Sequence, residues 1–236
     1  MEYDGGCFSG WQRQREKTTV QGEIESGLSK ILSQPVNLIS SGRTDAGVHA
    51  KYQVANFKTE KRVQPEDIKR ALNSLLPSDI RIKFAQRVGL DFHARYSVKN
   101  KIYRYNIFTG EYISPFKVRY FWHLPLGLDF YKMSEEIGYI LGKHDFINFQ
   151  AKGSSVKDTK RTVSKAFLKK DGSYCSIFIE ADGFLYKMVR FIVGTLVEVG
   201  RGRFEPGRVK VLLGGKRLKR GPVAPAEGLF LWKVKY

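Results

Sequence analysis

Apolar positions along the chain change period repeatedly, and each change marks an element. From Thr18 or Thr19, Ile24, Leu28, Ile31 and Leu32 recur at helical spacing until Pro35, which predicts a capped helix. A short strand over Val36 to Ile39 follows. After a glycine-bounded loop, "YQVANFK" reads as a second strand. Pro65 with Glu66 and Asp67 opens a second helix, which carries Ile68, Leu72, Leu75 and Leu76 to Pro77. "IRIKF" and "KIYRYNIF" then alternate with period two, the latter putting Tyr103, Tyr105 and Ile107 on one face.

The second half mixes the same elements without sequence repetition. A helix is predicted near Tyr131 to Leu141, with strands around Val163 to Lys169 and Tyr174 to Ala181 joined by the turn Asp171-Gly172. A helix from about Leu185 to Val199 stops at Gly200, a shorter one follows Pro206, and "GLFLWKVKY" closes the chain as an alternating strand. Hairpin signals without a regular β-α-β rhythm predict an α+β fold with mainly antiparallel sheet. The halves divide near residues 100 to 110, giving lobes 1–105 and 106–236; no Gly/Ser-rich or Pro-rich linker separates them.

Composition changes this picture through charge. With 41 Lys and Arg against 23 Asp and Glu, the 236 residues carry a formal +18. A polyanionic partner follows, nucleic acid before a membrane surface. The most apolar stretch, Phe184 to Val199, is interrupted by Lys187 and Arg190, so no membrane span is expected. "MEYDGGCFSG" lacks the basic head and apolar core of a signal peptide, and the location expected is cytoplasmic. Cys7 and Cys175 fit reduced thiols, and the four histidines show no metal-ligand spacing, so no metal is expected.

Three features carry candidate chemistry. In "SSGRTDAGVHA", residues 40 to 50, Arg43 and Asp45 lie between Gly42 and Gly47, a backbone that lets a ligand approach; alone, the pattern is a weak sign of chemistry and describes a turn with a solvated arginine more readily. Arg190 falls in the middle of the apolar helix predicted over Leu185 to Val199. A guanidinium held from water requires a carboxylate or phosphate, in the fold or in a ligand, and within the chain Asp45, Asp91, Asp145 and Glu180 are all open to it. Aromatics interleaved with cations in "RYSVKNKIYRYNIF" and "FKVRYFW" suit base stacking and phosphate neutralisation, although alternating tyrosines also build ordinary cores. Basic clusters at Arg13, Arg15, Lys17; Lys160, Arg161; Arg201, Arg203, Arg208; and Lys216, Arg217, Lys219, Arg220 suggest a phosphate-gripping surface.

Several of these blocks, in order along nearly the whole chain, resemble the tRNA pseudouridine synthase A family: "YDGGCFSGWQRQ", "SGRTDAGVHA", "ALNSLLPSDIRI", "DFHARYSVKNKIYRY", "FLYKMVRFIVGTLVEVG" and "PAEGLFLWKV". The resemblance implies two ferredoxin-like (RRM-like) lobes sharing a mainly antiparallel central sheet, with the site in a basic cleft between them. It implies Asp45 as the catalytic aspartate, Arg43 as a residue that holds the target nucleotide out of its stack, Tyr103 as the aromatic on the target base, and Arg190 as the partner of Asp45. It further implies isomerisation of uridine at nucleotides 38, 39 and 40 of the tRNA anticodon stem-loop by a homodimer with no cofactor and no metal. Non-catalytic RNA binding on the same fold and base excision by the same aspartate are the rival readings. The chain departs from the family at its short start before "YDG", at Gly6 and at Tyr52. The short start predicts a central sheet that is shorter there or a misassigned start site, Gly6 a difference in edge packing, and Tyr52 a narrower pocket behind the catalytic loop.

Overall fold

The computed structural model describes residues 1–125, 127–153, 156–216 and 218–236, and the chain packs as two units. The first comprises Met1–Lys99 with Phe230–Tyr236, the second Asn100–Leu229.

In the first unit, β1 (Glu2–Tyr3) leads to α1 (Val20–Leu32). Thr19 caps α1 by accepting the Gly22 N–H at 3.3 Å, and Val20, Ile24, Leu28 and Leu32 are buried. The helix ends where Ser33 turns left-handed, with φ of 49°. Then come β2 (Ile39–Ser40), β3 (His49–Ala50), β4 (Ala55–Asn56), α2 (Pro65–Leu75) and β5 (Ile80–Arg81). Strand β1 pairs antiparallel with both β3 and β5, while β2 and β4 form a separate ladder.

These strands are shorter than their apolar runs predict, because side chains replace ladder partners. The Asn73 amide takes both backbone groups of Ile82, accepting its N–H at 2.8 Å and donating to its carbonyl at 2.9 Å. The ladder at "IRIKF" therefore stops at Arg81. Likewise Gln53 Oε1 accepts the Val54 N–H at 3.1 Å, and only Ala55 and Asn56 of "YQVANFK" pair. On α2, Ile68 and Leu72 face inward, but Leu75 is exposed and Leu76, past the helix end, is buried instead.

The second unit runs β6 (Asn100–Phe108), β7 (Trp122–His123), α3 (Phe130–Gly138), β8 (Gly142–Asp145), β9 (Lys160–Asp171), β10 (Tyr174–Ala181), α4 (Met188–Gly200) and α5 (Arg208–Leu213). Within it β6, β10, β9 and β8 are hydrogen-bonded in that order, all antiparallel, and β7 adds parallel to β6. Alternation puts Tyr103, Tyr105 and Ile107 of β6 and Cys175, Ile177 and Ile179 of β10 in the core. The β9–β10 turn is Gly172-Ser173, with Gly172 at φ of 54°, because Asp171 pairs with Tyr174 as the last ladder rung. Asp129 caps α3 through the Lys132 N–H at 3.0 Å, starting that helix one residue before its predicted first turn.

Helix α4 begins at Met188, not Leu185, because Lys187 is left-handed with φ of 60°. That shift moves Arg190 from mid-helix to the first turn. The last strand, β11 (Leu229–Lys235), returns to the first unit, where Phe230 and Leu231 pair parallel with His49 and Ala50 of β3. The architecture is α+β, with five α-helices among the described residues and sheet pairing that is mainly antiparallel. No helix among the described residues is long and apolar enough to cross a membrane.

Candidate active site

The glycine-bounded segment joins β2 to β3, and hydrogen bonds from three sides hold it. Near its start, the Ser41 N–H donates to the Val54 carbonyl at 2.8 Å, and the Ser41 hydroxyl meets Gln53 Oε1 at 2.6 Å. Gln53 Nε2 donates to the Gly42 carbonyl at 2.9 Å, and both Ser41 and Gln53 are fully buried. At its centre, the Thr44 carbonyl accepts the Trp11 N–H at 3.0 Å, and the Thr44 hydroxyl shares a 2.8 Å hydrogen bond with Tyr3. Burial pushes the Tyr3 phenol up to about 12, so it stays a neutral hydroxyl. At its end, the Val48 N–H closes a turn onto the Asp45 carbonyl at 3.1 Å, and Gly47 supplies the φ of 77° that this turn needs.

Thr44 is the buried member of the Arg-Thr-Asp triplet, with exposed Arg43 and half-buried Asp45 on either side. Fixing the middle residue fixes the direction of its neighbours. Gly10 braces the same point from another loop. Its φ is 90°, and a Cβ there would stand 2.8 Å from the Thr44 carbonyl oxygen and 3.1 Å from the Asp45 carbonyl carbon. The backbone under Asp45 is thus held in place, where the glycines alone suggest flexibility. Reading the sequence missed these supports, Gly10, Trp11, Ser41 and Gln53; the glycine in "FSGWQ" was their one visible sign.

Arg43 and Asp45 belong to the first unit; Tyr103 and Arg190 belong to the second. Tyr103 lies on β6 opposite Ile179 of β10, is buried, and meets Phe184 edge-on with ring centroids 4.8 Å apart. Arg190 is half-buried, and its Nε donates to the Ala224 carbonyl at 2.7 Å. Among the other acids open to Arg190, Asp145 accepts the Thr159 hydroxyl at 2.6 Å and the Ile147 N–H at 3.0 Å, organising the turn after β8.

The basic clusters separate into inward and outward members. Arg220 lies 3.5 Å from the Phe191 ring centroid and donates to the Gln150 carbonyl at 2.8 Å, so it holds loops together. Arg201 meets Glu198 at 3.3 Å on its own helix turn. Arg15, Lys17 and Lys160 are exposed, whereas Arg217 lies outside the described residues. Among the described residues, no group of three or more His, Cys, Asp or Glu could hold a metal ion.

Comparison with known proteins adds a family. The profile described as tRNA pseudouridine synthase matches residues 1–97 and 137–236. A tRNA pseudouridine synthase A of Caldicellulosiruptor saccharolyticus is 44% identical over 237 residues, covering 100% of this chain and 97% of the relative. Its namesake in a Thermoanaerobacter species is 45% identical with the same coverage. The one in Geobacillus kaustophilus is 45% identical, covering 100% of this chain and 92% of the relative.

Proposed function

The chain belongs to the tRNA pseudouridine synthase family and isomerises uridine in tRNA, and on that premise we propose that Asp45 is its catalytic carboxylate. The observation that carries this reading is the bracing of the loop. Buried Thr44 and Gly10 hold Asp45 and Arg43 at a partly open surface, as a preorganised catalytic group requires.

The chemistry fits one carboxylate. The bond from N1 to C1′ breaks, the uracil turns while held, and C5 bonds to C1′, after which the C5 proton leaves and N1 ends protonated. No atom is gained or lost and no electron leaves the substrate. The carboxylate acts either as a nucleophile at the sugar or as a base that allows an elimination intermediate, so it must be ionised. We assign Arg190 as its cationic partner, Arg43 to holding the extruded nucleotide, and Tyr103 to stacking on the target base. Flipping a stacked uridine costs about a few kcal/mol, which phosphate contacts and stacking offset.

Both lobes are read as ferredoxin-like. In the first unit β1 lies between β5 and β3, and in the second β10 lies between β6 and β9, with helices between the strands. That order and the antiparallel pairing support the reading. The targets proposed are nucleotides 38, 39 and 40 of the anticodon stem-loop, and the working form a cytoplasmic homodimer that needs no cofactor.

Chemical mapping of pseudouridine in a tRNA pool tests the assignment. Wild-type protein is expected to modify those nucleotides, and Asp45→Asn to lower the rate by roughly 10²–10⁴-fold or more while tRNA binding survives. Retained modification in Asp45→Asn ends the role given to Asp45. Free uracil in place of pseudouridine identifies a glycosylase, and binding by wild-type protein without modification identifies an RNA-binding protein.

A further inference from the structure

Arg190 is held by a strap of chain as well as by its helix. Residues 220–226 run along α4 and return two hydrogen bonds to one residue. The Ala224 N–H donates to the Arg190 carbonyl at 3.1 Å, and Arg190 Nε donates to the Ala224 carbonyl at 2.7 Å. With Nε engaged there, contacts to a carboxylate fall to the two Nη groups, and the plane of the guanidinium follows the Ala224 carbonyl.

The strap itself is fixed at both ends. Toward its start, the Gly221 N–H donates to the Thr195 hydroxyl at 3.0 Å, and that hydroxyl donates to the Phe191 carbonyl at 2.8 Å. Helix and strap touch backbone to backbone, since a Cβ on Gly194 would stand 1.9 Å from the Pro222 carbonyl oxygen. Toward its end, the Tyr105 hydroxyl donates to the Pro225 carbonyl at 2.8 Å. Burial, with Glu227 nearby, holds the Tyr105 phenol well above its ordinary value, so the hydroxyl keeps the proton it donates.

We infer that the 221–226 strap is the device that aims Arg190, and that Tyr105 and Thr195 are positioning residues acting on the isomerisation through the Ala224 carbonyl. The inference rests on the reading of Arg190 as the partner of Asp45. Tyr105 holds the carbonyl next to Ala224, and Thr195 fixes the register of the strap on α4. A displacement of about 1 Å at Ala224 swings the guanidinium away from its carboxylate, and misplacements of that size cost up to about 10²-fold in rate.

The test is steady-state kinetics on tRNA with Tyr105→Phe, Thr195→Val and Thr195→Ser, and with Tyr105→Phe in an Arg190→Lys background. Tyr105→Phe and Thr195→Val are expected to lower kcat about tenfold with KM within about twofold, and Thr195→Ser, which keeps the hydroxyl, to restore kcat. In the Arg190→Lys background, Tyr105→Phe is expected to change kcat less than about twofold, because the group it aims is gone. Equal loss from Tyr105→Phe in both backgrounds, while Arg190→Lys itself is impaired, overturns the strap inference alone. Full kcat in Arg190→Lys overturns the reading of Arg190. Should Tyr105→Phe lack a cooperative unfolding transition, the Thr195 pair decides: equal kcat in Val and Ser variants sinks the inference.

Discussion

At the residue scale, the position that organises the site is Thr44, not either of its charged neighbours. It is the buried member of the triplet, tied through its carbonyl to Trp11 and through its hydroxyl to Tyr3, which fixes the directions of exposed Arg43 and half-buried Asp45 on either side. Gly10 exists to let that contact form. At φ of 90° an L side chain is strained, and its Cβ would lie 2.8 Å from the Thr44 carbonyl oxygen. Gly10→Ala is therefore expected to cost about 1–3 kcal/mol and to lower kcat by displacing the Asp45 backbone. Thermal unfolding and pseudouridine mapping read the two effects, and wild-type values in both would show that the loop is not braced there. The role given to Asp45 came from the family resemblance, but the loop that carries it was legible, because glycines after an apolar run mark a turn. Ser41 and Gln53 were not, since a buried polar side chain that serves backbone groups looks in sequence like any other polar residue.

At the scale of elements, helices were legible and strand ends were not. The period of Val20, Ile24, Leu28 and Leu32 with Thr19 as cap locates α1 closely, since helical hydrogen bonds are local to the segment. Strand length depends on partners far along the chain, and here Asn73 and Gln53 displace those partners. Helix α4 shows a third case: its apolar run extends back to Leu185, but left-handed Lys187 delays the start and puts Arg190 in the first turn. A related device sets the start of α5. The Glu136 carboxylate, buried on α3, accepts the N–H groups of Gly207 and, at 2.8 Å, Val209. It therefore supplies the acceptor that the short helix lacks in its own sequence. Glu136→Ala leaves those donors without an acceptor and is expected to destabilise the fold by about 2–4 kcal/mol. Urea denaturation checks this; a loss under about 0.5 kcal/mol would mean that water replaces the carboxylate.

At the scale of the whole molecule, the excess charge of +18 points to tRNA, but the structure divides that charge by function. Arg220 and Arg201 join parts of the fold, while Arg15, Lys17 and Lys160 reach solvent. Only the outward cations can displace counterions from phosphate, so the salt dependence of binding counts them and not the net charge. For about six to ten phosphate contacts, tRNA affinity is expected to fall by about 10³-fold or more between 50 and 200 mM salt. On the role proposed for it, Asp45→Asn should show the wild-type slope, because a carboxylate does not grip phosphate. Arg15→Ala should reduce the slope by about one unit, as loss of a single phosphate contact does. Arg220→Ala should leave the slope unchanged and lower the unfolding temperature, since its guanidinium packs on Phe191 and ties Gln150. Titration of labelled tRNA across that salt range separates the cases. If Arg220→Ala lowers the slope as Arg15→Ala does, the division of this protein's arginines into structural and phosphate-binding sets fails.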